Sequence, residues 1–65
     1  MEYGQIKKKM KKGDMTTCGD MMNCYPDVAR GRFRRKDPRA IEALSIIIKE
    51  RERMIKEYQI KHNLI

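Results

Sequence analysis

The sequence predicts an all-α protein: three short helices followed by one long C-terminal helix. Three observations lead there. Apolar residues recur at helical spacing, the chain is punctuated at Gly13-Asp14, Asn23 to Pro26 and Lys36-Asp37-Pro38, and nothing interrupts the last apolar stripe after Pro38.

Residues 2–12 read as the first helix, with Tyr3, Ile6 and Met10 on one face and Lys on the others. It is short and crowded with Lys, so it needs tertiary packing to persist. Gly13 suits the left-handed position after a helix, and Asp14 suits the N-cap of the next. The second helix is expected from Met15 to Met22, with Met15, Cys18 and Met22 inward and Gly19 beside them. Asn23 tolerates the left-handed conformation and can end that helix abruptly. Pro26 fits the first turn of a third helix, which carries Val28, Ala29 and Phe33 inward and Asp27, Arg30, Gly31 and Arg34 outward. Asp37 and Pro38 then cap and open the last helix, which runs to about Tyr58 or His62. Its stripe holds Ala40, Ile41, Leu44, Ile47, Ile48, Met54, Ile55 and Tyr58. Glu52–Lys56, Arg53–Glu57 and Glu57–Lys61 stand as i, i+4 ion pairs. Such a rod is ~37 Å long, against about 28 Å for a compact globule of this length. It overhangs its own domain.

The chain has 65 residues, 40% of them apolar and 38% charged. Folding at this size buries only about 60% of the extended surface, a marginal core. That excludes a multidomain enzyme, a doubly wound nucleotide fold and a barrel. Six Met and a single Phe without Trp point to a core filled by flexible thioethers. No apolar run approaches the ~18 residues of a membrane span, and the N-terminus has no signal-like stretch. The expected location is cytoplasmic, with no membrane partner.

Sixteen basic and nine acidic side chains give a net charge of +7. Ten basic and four acidic residues fall in 1–36, net +6, and six and five in 37–65, net +1. A basic front half facing a polyanion and a balanced back half that packs are thus expected. Nucleic acid is the favoured polyanion, because the first helix lacks the bulky anchors of a membrane-surface helix. Residues 1–36 are taken as the DNA-binding part, and 37–65 as the long helix for core packing and dimerisation.

The frame Gly13-Asp14-Met15-x-x-Cys18-Gly19-x-x-Met22-Asn23-Cys24-x-Pro26-x-x-Ala29 resembles the helix-turn-helix of lac- and lambda-type repressors. More closely, the chain is similar to small phage and bacterial helix-turn-helix proteins that begin with a short Lys-rich helix. The resemblance covers roughly residues 3–58. Three positions depart from the pattern. Asn23 stands for the usual turn Gly, Tyr25 for the usual capping Ser or Thr, and Phe33 rather than Arg32 fills the late apolar position.

The resemblance implies that Pro26–Lys36 is a recognition helix in the major groove, with Tyr25, Pro26, Asp27, Arg30, Gly31 and Arg34 facing the bases. Arg30 and Arg34, four apart, each match O6 and N7 of a guanine. Lys7, Lys8, Lys11, Lys12, Thr16, Thr17, Arg35, Lys36 and Arg39 are the implied phosphate contacts. A period near seven places Ile41, Leu44, Ile48, Ile55 and Tyr58 on a seam interrupted by Arg51, and Ile48, Ile55 and Tyr58 are the expected homodimer contacts.

The blander readings run alongside. Lys7 to Lys12 can be a solvated face. Arg30 to Arg35 hold four Arg in six residues, more than solubility requires. Cys18 and Cys24 are spaced as C-x₅-C, which fits no common zinc pattern, and His62 is distant, so both read as buried free thiols with no metal or cofactor. No nucleophile–base pair, phosphate loop or paired-carboxylate pocket stands out, so neither an enzyme nor a small-molecule substrate is expected. The function expected is sequence-specific double-stranded DNA binding by a small transcriptional regulator of phage or bacterial kind. The alternatives are a non-catalytic protein blocking a nucleic-acid machine through its long helix, and an RNA binder.

Overall fold

A computed structural model describes residues 1–64 and contains four helices, with no strand among those residues: α1 Tyr3–Lys9, α2 Asp14–Met22, α3 Pro26–Arg34 and α4 Pro38–Lys61. The all-α architecture with a long last helix is as expected. All four helices contribute to one core: Ile6 from α1, Met15 and Cys18 from α2, Ala29 and Phe33 from α3, and Ala40, Ala43, Leu44 and Ile48 from α4.

α1 is shorter than its pattern predicts. The Glu2 N–H donates to Gln5 Oε1 at 3.0 Å and opens the helix, but Met10 is already extended. The cause lies ahead in the chain. The Lys11 N–H donates to Asp14 Oδ2 at 2.8 Å, which draws Lys11 out of the helix and into a turn. Gly13 does adopt positive φ, at 93°, but as the N-cap of α2 rather than the end of α1. Asp14, expected as that cap, is instead the first helical residue and is buried.

α2 ends where Asn23 turns left-handed, with φ 56°. The Cys24 N–H reaches back to the Gly19 carbonyl at 2.9 Å, closing the helix end. A Cβ on Gly19 would lie 2.7 Å from the Cys24 carbonyl oxygen, so the turn folds back against a residue without a side chain. This contact sets how α3 leaves α2, and an Ala here would strain it by about 1–3 kcal/mol. Pro26 occupies the first turn of α3 as expected. Val28, expected inward, is 42% exposed: Ala29 and Phe33 alone face the core, and Val28 lies too far round the helix to join them. Lys36 ends this segment in the left-handed region at φ 61°, and Asp37 N–H donates to the Arg32 carbonyl at 2.9 Å.

α4 starts on the Asp37 side chain, which accepts from the Arg39 N–H at 2.9 Å. That backbone hydrogen bond, aided by the Arg39 charge, holds the Asp37 carboxyl below its ordinary pKa. The helix is 24 residues long. It gives the molecule a 40 Å long axis and a radius of gyration of 13.1 Å, against about 11 Å for a compact chain of this length.

The buried stripe stops at Arg51. Ile48 is fully buried in its own chain, which corrects its assignment as a dimer contact: a side chain with no exposed surface offers nothing to a second molecule. Arg51, expected to interrupt a dimer seam, is fastened within the chain. Its Nη1 lies 2.6 Å from Asp14 Oδ1, and its Nη2 donates to the Lys9 carbonyl at 2.8 Å. Lys9 in turn pairs with Glu52 at 3.2 Å, so Glu52 turns to α1 and not to Lys56. Arg53 does pair with Glu57 at 3.4 Å, and also with Glu50.

Candidate nucleic-acid interface

Burial of Ala29 and Phe33 turns the opposite side of α3 to solvent. That side carries Asp27, Arg30 and Arg34, all exposed, with half-buried Gly31 between them and Tyr25, 81% exposed, at the N-cap. A Cβ at Gly31 would meet only Arg35 Nη1 at 3.7 Å, so the fold itself does not demand glycine there. The bare backbone leaves a shallow strip along the helix. Arg30 is not free in the unbound protein. Its Nη1 sits 2.9 Å from Asp27 Oδ1, an exposed pair that solvent weakens.

Beside this strip, α1 and α3 enclose a cleft of about 400 Å³ lined by Tyr3, Lys7, Arg30 and Arg34 over Met10, Met15 and Phe33. Tyr3 organises it. Its ring stacks on Phe33 with centroids 4.6 Å apart. Lys7 Nζ lies 5.6 Å and Lys36 Nζ 5.3 Å from the Tyr3 centroid, both within cation–π range. Two cations, Lys7 and Lys36, thus lie over one aromatic ring, and Arg30 and Arg34 line the cleft beside it. Among the described residues, no carboxylate pairs with Lys7, Arg34 or Lys36 within 4.0 Å. Sequence reasoning placed Tyr3 in the packed stripe of α1 and missed this part. Its contact with Phe33 spans thirty positions and has no local signature.

The remaining implied phosphate contacts are spread more widely. Lys8 and Lys11 line a different cleft, between α1 and α4, with Arg51, Glu52, Ile55 and Lys56. Arg39 borders a third, with Arg32, Met21 and Ile46, and lies 3.6 Å from the Asp37 carboxylate. Thr16 sits in the groove at the α2–α3 turn beside Tyr25 and Pro26. The Thr17 hydroxyl donates to the Gly13 carbonyl at 3.2 Å. Lys12 and Arg35 are exposed, in the α1–α2 turn and at the end of α3. Lys7 is the phosphate candidate that the fold brings into one cleft with Arg30 and Arg34, and Lys36 reaches the same Tyr3 ring.

The cysteines are free. Cys18 is buried and Cys24 half-buried. The Cys18 thiol donates to the Met22 sulfur at 3.7 Å, and burial, with a smaller effect of Cys24, raises its pKa. A thiol held neutral in this way is a packing group. Among the described residues no three His, Cys, Asp or Glu side chains gather as a metal site, and no helix is long and apolar enough to cross a membrane. No protein-family model, curated protein or solved structure matches this chain.

Proposed function

We propose that this chain binds double-stranded DNA through the outward face of α3 and acts as a small transcriptional regulator in the cytoplasm, without catalysis. The observation that carries the reading is that Lys7, Arg30 and Arg34 line one cleft with Tyr3, and that Lys36 lies over the same ring, at the edge of the exposed side of α3. Like charges drawn together repel, and an anion between them relieves the repulsion. A nucleic-acid backbone supplies anions in a row. In this reading α2 and α3 act as a helix-turn-helix, and α3 enters the major groove with Gly31 toward the base edges. Arg34 reads a guanine through its planar fork. Arg30 does the same once its exposed pair with Asp27 opens. Lys7 and Lys36 hold the flanking phosphates, giving affinity without choice of sequence.

Tyr25 supports a second reading. A tyrosine 81% exposed beside the turn is a platform on which an unpaired base can stack, as single-stranded RNA or DNA requires.

Fluorescence anisotropy with random duplex, single strand and structured RNA, across a salt series, separates the two. The first reading expects duplex preference and a log–log salt slope of about −0.9 per phosphate contact. On a site selected from a random pool, Arg34→Ala and Arg30→Ala should each cost ~1–3 kcal/mol and relax base choice. Lys7→Ala should weaken all duplexes alike and reduce the slope by about one contact. Absence of duplex binding at ~50 mM salt defeats the proposal. A preference for single strands that disappears with Tyr25→Ala supports the second reading.

A further inference from the structure

The apolar stripe of α4 continues after its neighbours have ended. Leu44 and Ile48 are fully buried, whereas Met54, Ile55 and Tyr58, on the same side of the helix, are 64, 42 and 60% exposed. Every residue from Glu52 to Tyr58 is exposed, although the helix continues to Lys61. The base of this arm is held in place by Arg51 on Asp14 and the Lys9 carbonyl, and by Lys9 on Glu52. Leu64, 63% exposed, adds apolar surface at its far end. Isolated helical turns are marginal in water, and an apolar face on them has a use only when covered.

We propose that the stripe of Met54, Ile55 and Tyr58 is the seat of a second copy of this chain, the two arms packing antiparallel. Charge selects the partner and its direction. The arm itself carries Glu52, Arg53, Lys56, Glu57 and Lys61, net +1, so arm repels arm only weakly, while Lys8 and Lys11 border it on the Ile55 side. Residues 1–36 carry net +6 and repel their own copy. Antiparallel arms place the two basic parts at opposite ends, whereas parallel arms press them together. The area suits a weak pair. Met54, Ile55, Tyr58 and Leu64 offer roughly 100 Å² each per copy, so two copies bury about 800 Å² of apolar surface, the size of a concentration-dependent contact. Ile48 takes no part, being closed in its own core. The pairing is independent of nucleic acid and stands or falls without it. Its consequence is two α3 faces in one particle, each held at the end of a shared rod.

Sedimentation of the full chain without nucleic acid, from about 1 to 200 μM, tests the pairing. Twice the chain mass is expected at the upper end, reverting on dilution. The double variant Ile55→Glu/Tyr58→Glu should run as a monomer throughout and keep its helical circular dichroism, because neither residue is in the core. Ile46→Glu, exposed but off the stripe, should still pair. A monomer at 200 μM for the unmutated chain overturns the proposal, as does a dimer surviving the double variant or lost with Ile46→Glu. Direction is read from spin labels on Glu50→Cys in a Cys24→Val background, Cys18 being buried. Antiparallel arms hold the labels about 20 Å apart along the rod. Labels side by side overturn the antiparallel arrangement.

Discussion

The two halves of α4 share a periodicity and one unbroken helix, and they have opposite fates. From Ala40 to Ile48 the helix packs on α1, α2 and α3, and Ala40, Ala43, Leu44 and Ile48 lose nearly all contact with water, with Ile41 and Ile47 half-buried beside them. From Met54 to Tyr58 the same stripe stands in solvent. The boundary is Arg51, whose guanidinium spans from the long helix to Asp14 and the Lys9 carbonyl. Amphipathic spacing therefore announces that a face is to be covered, but does not say by what. In the first half the cover is the chain itself.

Paired substitutions break this comparison most directly. Leu44→Ala should lower stability by about 2–5 kcal/mol, enough to unfold much of a domain this small. Ile55→Ala, measured in urea at sub-micromolar concentration where chains are separate, should stay within about 0.5 kcal/mol. Equal losses would mean that the core extends along the whole helix.

Arg51 sharpens the boundary. Arg51→Ala leaves the Asp14 carboxylate buried without its cation, a change that costs about 3 kcal/mol when pairs are well enclosed. Adding Asp14→Asn should restore part of that loss, and thermal melts of the single and double variants measure the coupling. Additive losses would show that the pair does not join α2 to α4.

A smaller effect has the opposite sign. Ser45 is buried and its hydroxyl has no hydrogen-bond partner among the described residues. Ser45→Ala removes that unsatisfied group and should raise stability by about 1 kcal/mol. A lower midpoint in urea would mean the hydroxyl has a partner in solution.

The mildest test concerns the start of α4. Asp37 has a folded pKa below its unfolded value, because its carboxylate accepts the Arg39 N–H. Its contribution is therefore present above the ordinary Asp pKa, about 3.9, and is lost as pH falls through the lower folded value. Asp37→Asn keeps a capping oxygen but cannot titrate. Its stability–pH curve should be flatter below about pH 4 and should parallel the unmutated protein near pH 7. Parallel curves at all pH values would remove Asp37 from the acid limb.

Much of the chain was legible residue by residue. Asn23, Pro26, Asp37 and Pro38 stop or start helices where their own backbone chemistry requires, and α4 ends within the range its pattern indicated. Ile6, Cys18, Ala29, Phe33 and Leu44 are core residues as their spacing implies. The early end of α1 was harder to read. Asp14 has the chemistry of a cap, and it does accept a backbone N–H, but from Lys11, three residues before it, while its second oxygen takes Arg51. Of the candidate interface, the outward set Asp27, Arg30, Gly31 and Arg34 followed from which side of α3 is apolar, and Tyr25 only from the resemblance. The clustering of Lys7 and Lys36 on Tyr3 did not.

Alone, the sequence determined what depends on a few neighbouring residues: four helices, their turns, the basic front and the side of each helix that turns inward. Those features follow from backbone conformation, capping and a period of 3.6, all of which act within about four positions. Only the tertiary structure decided that Tyr3 rests on Phe33, that Asp14 holds Arg51, that Ile48 is closed in, and that the stripe beyond Arg51 is left open. Each of these joins, or fails to join, residues tens of positions apart. Such pairings depend on the angles at which short helices cross, and a single Gly19 or a left-handed Lys36 can set those angles without leaving a periodic trace.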